Sequence, residues 1–184
     1  MQAVHRPFIA AAIGAALLAL AACSPTFNWR EVRPESTRLS LLLPCKPDKA
    51  QKKVPLGGRP TELALLGCDA GELTFAVGSA DLGDASLVAP VLAQWQTATL
   101  ANMKAAPPTP GAAAASLSPL KVPGADALPT PVLVVAQGQR ADGSPVAGHA
   151  AYFAQGSQVF QVVVYGKKIP PELADTFYSS LKFE

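Results

Sequence analysis

Apolar positions recur along this chain with two spacings, and the places where one spacing replaces the other divide it into elements. From Arg38 the spacing suits strands. RLSLLLP is a short apolar run closed by Pro44, and KKVPL around Val54 is a second, weaker strand. Gly57-Gly58-Arg59-Pro60 signals a turn. TELALLGC and GELTFAVGSA follow, divided at Asp69-Ala70. In the latter, Leu73, Phe75 and Val77 alternate with Thr74, Ala76 and Gly78, the pattern of a half-buried strand.

The spacing then becomes helical. Val88, Val91, Leu92, Trp95, Thr99 and Met103 fall near one face, which predicts a helix over about 89–104. Its lead-in is irregular: Asp84 suits a cap and Pro90 suits a first turn. Residues 105–131 are rich in Ala and Pro and read as a loop joining two halves of the fold. PVLVVAQGQR, VAGHAAYFAQ and SQVFQVVVYG are three further strands, separated by Asp142-Gly143 and by Gly156. Pro170-Pro171 opens a last helix. Glu172 sits in its first turn, and its apolar stripe is Leu173, Phe177 and Leu181.

Before all of this lies FIAAAIGAALLALAA, residues 8–22, behind a weakly basic start. The run is short for a spanning helix, which needs roughly twenty apolar residues, and fits an export signal. Leu20-Ala21-Ala22-Cys23 resembles the lipobox of bacterial lipoproteins. The resemblance implies that residues 1–22 are removed, that Cys23 is acylated, and that residues 23–37 tether the domain at 38–184. Ser24, in the place where Asp favours retention at the inner membrane, implies the outer membrane with the domain facing the periplasm. Two or three acyl chains give lasting attachment where one does not. Phe27 and Trp29 in the tether read either as membrane-interface rings or as side chains packed on a sheet edge.

Composition narrows the picture. The full chain has 184 residues, with 15 Lys plus Arg against 13 Asp plus Glu. Removing the signal leaves about 160 residues, near neutral, enough for one core and without the bulk charge of a nucleic-acid binder. Two cysteines would remain, Cys45 and Cys68. In an oxidising compartment an even pair at this spacing reads as a disulfide. A redox pair or metal site is the alternative, although C-x-x-C is absent and His149 is the only histidine past the signal.

The order of elements is similar to the PsbP-like fold of small exported proteins. The likeness is carried by Leu41–Pro44, the strand around Phe75, Val159–Tyr165, and Phe177-Tyr178-Ser179-Ser180-Leu181. It implies an α+β architecture, an α/β/α sandwich in which an antiparallel sheet of six or seven strands is flanked by two helices. Members of that family mostly bind or assemble partners, so no catalytic residue is carried over.

The residues themselves offer little chemistry. There is no G-x-S-x-G elbow and no phosphate-binding G-x-x-x-x-G-K-[ST] loop, and no cofactor is implied. His149 reads as an ordinary strand residue, and Trp95 as core. Glu62, Asp69, Glu72, Asp81 and Asp84 are close enough in sequence for a carboxylate pair, but their spread over strand ends and turns suits solvation better. Eight basic residues between Arg30 and Arg59 face only Glu31, Glu35 and Asp48, so that segment reads as a solvated face or as one turned towards lipid phosphate or acidic envelope polymer. The expectation is a non-catalytic binding or assembly lipoprotein, held to the bilayer through Cys23, with a protein partner in the envelope. The alternatives are an envelope enzyme with an acidic pocket and a scaffold without ligand.

Overall fold

The computed structural model describes residues 26–106 and 115–184. Cys23 and residues 1–22, the stretch read as an export signal, lie outside the described residues. The described elements are β1 (Arg30–Val32), β2 (Leu39–Leu43), β3 (Asp48–Leu56), β4 (Arg59–Ala70), β5 (Leu73–Asp81), a 3-10 turn (Ala85–Leu87), α1 (Val88–Asn102), β6 (Ala115–Pro119), β7 (Val132–Gln139), β8 (Pro145–Gln155), β9 (Gln158–Gly166), α2 (Pro171–Ser179) and β10 (Lys182–Phe183).

Seven strands form one antiparallel sheet in the order β3-β4-β5-β9-β8-β7-β6. Two meanders meet at the β5–β9 seam, and α1 lies in the connection that carries the chain from β5 at the seam to β6 at the far edge. A smaller antiparallel sheet, β1-β2-β10, completes an α+β architecture with two α-helices.

Strand alternation sends successive side chains to opposite faces, so each face builds its own core. Leu73, Phe75, Val77, Phe153, Phe160, Val162 and Val164 point to one face, where Phe177 and Leu181 from the C-terminal segment and Leu39, Leu41 and Leu43 from β2 cover them. The rings of Phe75 and Phe177 meet edge to face with centroids 5.1 Å apart, a favoured aromatic geometry. Ala80, Ala150, Tyr152, Val159 and Val163 point to the other face, beneath Val88, Val91, Leu92 and Trp95 of α1. Asp84 accepts from the Ser86 backbone N–H at 2.9 Å and caps the 3-10 turn that leads into α1, so the irregular lead-in is an extra capped turn. Trp95 lies on the core stripe, its ring against Tyr152 and close over Gly78.

Three differences from the sequence pattern matter. The strand β6 lies inside the segment read as loop; as an exposed sheet edge it needs no apolar alternation. The segment read as a tether contains β1; within it Phe27 and Trp29 follow the packed reading and not the membrane-interface one, with Trp29 edge-on to Phe75 at 6.0 Å. The β4–β5 reversal sits at Gly71-Glu72, two residues later than Asp69-Ala70, with both turn residues at positive φ.

Candidate functional site

The layer covering the Phe75 face stops short of the β3 edge. Between the 34–37 loop and β3 it leaves a groove of about 520 Å³, within the usual size range of ligand sites. Strands β4 and β5 make its floor. Leu66 and Val77 stand opposite each other in the ladder, as do Ala64 and Ser79 one step further along the same face. Glu62 and Asp81 follow on that face beyond the last registered pair and line the mouth. Gln158 of β9 reaches across to donate its side-chain N–H to the Ser36 carbonyl at 2.9 Å, fixing the loop wall.

The charges here are held by specific partners. The Lys49 ammonium meets the Glu35 carboxylate at 2.5 Å, and this hydrogen bond keeps Glu35 below the ordinary carboxylate range. The Asp81 carboxylate accepts from the Ser157 hydroxyl at 2.7 Å and from the Gly83 backbone N–H at 2.9 Å. The first of these, then the second, lowers its pKa. Both groups are therefore anions at neutral pH. They are suited to attracting a cation and poorly suited to delivering a proton.

Of the five acids singled out in sequence, the groove gathers Glu62 and Asp81. Asp69 instead accepts from the Thr74 hydroxyl at 2.6 Å, Asp84 caps its turn, and Glu72 occupies the β4–β5 reversal. His149 stands on β8, opposite Val164 and Val135, remote from the groove lining. Burial lowers its pKa, which keeps the imidazole neutral. Among the described residues, no group of three or more His, Cys, Asp or Glu is placed to hold a metal ion. Cys45 and Cys68 are joined as a disulfide, closing a loop with a sequence separation of 23.

The basic segment does not form one face. Arg33 pairs with Glu31 and Glu184 beside the small sheet, Lys49 belongs to the groove, and Lys52, Lys53 and Arg59 lie on the β3–β4 hairpin. The site residues that sequence reasoning missed are Glu35, Ser36, Lys49 and Gln158. A tether reading hid the first two, and only the β3–β4 register could have brought Lys49 over Leu66.

No family model matches the chain, and no curated protein matches it significantly. Among solved structures it is similar to a protein from Bacteroides thetaiotaomicron, at 15% identity and a TM-score of 0.43, over 80% of this chain and 45% of that one. The chain thus spans under half the length of that protein. It is also similar to a protein of unknown function from Pseudomonas aeruginosa, at 15% identity and a TM-score of 0.34, over 79% of this chain and 85% of that one. No helix among the described residues is long and apolar enough to cross a membrane.

Proposed function

We propose that this chain is an envelope lipoprotein, acylated at Cys23, whose PsbP-like domain is a non-catalytic binding or assembly module at the outer membrane. The observation that carries the binding role is the groove between the 34–37 loop and β3. It is a half-open site with an aliphatic floor, Asp81 held ionised at its mouth and Glu35 held ionised on its loop wall. A general acid or base needs a pKa near the working pH, and both shifts run away from it. The anchoring role rests on the Leu20-Ala21-Ala22-Cys23 pattern after an apolar run.

The placement of the tether agrees with such a role. Phe27 packs over Gly71 at the β4–β5 turn, and Asn28 donates to the Pro44 carbonyl at 2.7 Å, so the chain enters at one end of the sheet. Glu62 and Asp81 line the groove towards the other end, beside the β3–β4 hairpin tip. A bilayer at the entry end leaves the mouth of the groove facing away from it.

Metabolic labelling with a fatty-acid analogue tests the anchor. Label is expected on the wild type and absent from Cys23→Ser, and label retained by the mutant rejects the anchor. In-cell crosslinking followed by purification tests the binding role. A reproducible partner is expected, and its absence rejects the role.

A further inference from the structure

We infer that the groove takes an extended peptide segment of a partner protein that carries the pattern aliphatic-x-basic. The aliphatic side chain would seat on Ala64 and the Lys or Arg would lie between Glu62 and Asp81. The inference rests on the binding-module reading and names the ligand class for that site.

Three observations set the pattern. First, the floor is sheet, and its rows repeat every second residue: Leu66 with Val77, Ala64 with Ser79, then Glu62 with Asp81. An extended segment also presents every second side chain to one face, roughly 7 Å apart, so neighbouring rows meet residues i and i+2 of a bound strand. Second, the rows change character along the groove. Leu66 and Val77 are buried at the bottom and Ala64 is half-buried, while the mouth row is two carboxylates. Third, the lining is acid-rich. Glu35, Glu62 and Asp81 face the single ammonium of Lys49, which Glu35 already holds. Lys53 stands opposite Glu62 in the ladder but outside the lining. The Ser157 and Gly83 donors both reach Asp81 Oδ1, which leaves Oδ2 with no donor among the described residues. A guanidinium or ammonium supplies that donor and the missing charge together.

Fluorescence anisotropy on the full lipidated protein in neutral detergent tests this with two short dye-labelled peptides, one repeating Leu-Ser-Lys-Ser, which carries the pattern, and one repeating Leu-Ser-Glu-Ser. The lysine peptide is expected to bind saturably, more weakly as salt rises, and about a hundredfold tighter than the glutamate peptide. Glu62→Gln and Asp81→Asn are each expected to weaken it about tenfold. Ala64→Trp, which fills the floor, is expected to abolish it. Equal affinity for the two peptides, a lack of saturation, or full affinity in both carboxamide variants overturns the inference, even where Ala64→Trp fails to fold. A photo-reactive residue placed at Ala64, with one at the exposed Leu128 as control, separates the two levels. A reproducible adduct from position 64 without peptide binding removes the ligand class and keeps the binding module. Loss of both removes both.

Discussion

The Tyr178 hydroxyl donates to the backbone carbonyl of His149 at 2.5 Å, tying the last turn of α2 to the middle of β8. The bond is enclosed: Tyr178 is buried, and burial raises its phenol pKa well above the ordinary value. A buried carbonyl left without that donor loses part of its hydrogen bonding. Tyr178→Phe is therefore expected to cost about 1–2 kcal/mol, read as a lower urea midpoint at unchanged m-value.

Beneath that bond, Phe177 has no exposed surface and packs on Phe75. Truncating it opens a cavity between α2 and the sheet. Phe177→Ala is expected to destabilise by about 3–5 kcal/mol, and Phe177→Leu, which keeps most of the buried volume, by clearly less. Similar losses for the two would mean that the helix is not seated as described.

The disulfide links Cys45, just after β2, to Cys68 on β4, and so joins the small sheet to the large one. With a sequence separation of 23, the chain-entropy model gives roughly 3.4 kcal/mol for the crosslink. The Cys45→Ala/Cys68→Ala double variant and the reduced wild type should lose about that amount alike in denaturant unfolding.

Gly138 on β7 meets the end of α1. A Cβ built there would lie 2.1 Å from the Met103 carbonyl oxygen, which also accepts from the Gln139 N–H at 2.7 Å. The obstacle is backbone and cannot rotate away. Gly138→Ala is expected to destabilise by about 1–3 kcal/mol. Gly143→Ala at the neighbouring hairpin turn meets no atom within 4 Å, but its φ of +84° adds strain. A comparison of the two by thermal melting separates packing from backbone conformation.

His149 gives the fold a pH dependence of known sign. Its folded pKa lies below the ordinary 6.5 because burial penalises the imidazolium. The unfolded chain therefore binds the proton more readily. The contribution of His149 is complete above about 6.5 and is lost as pH falls from there through the folded value. Urea midpoints should decline over that interval, and His149→Gln should remove that part of the slope.

Much of the architecture is legible in the residues because the strands on either side of the seam are long and patterned. Phe75 and Phe177 declare their faces by spacing alone. The short pieces are not legible. Neither β1 nor β10 carries enough residues for a period, and both exist because Leu39–Leu43 offers two free edges in space. Edge strand β6 hides in Ala/Pro-rich sequence for the same reason: one neighbour and solvent do not demand an apolar alternation. The groove was harder still. Its walls come from residues distant in sequence, so Glu35 with Lys49 and Ser36 with Gln158 are meetings that only the register reveals.

The seat of Phe27 on Gly71 sets how far this molecule can roam. That ring is four positions past Cys23, and four fully stretched steps cover only about 14 Å. If fatty chains are fastened to that sulfur, the leash is shorter than the body it holds. The domain would then stay pressed near the lipid surface and sweep across it sideways, so whatever it meets must come within a few nanometres of the membrane to be caught.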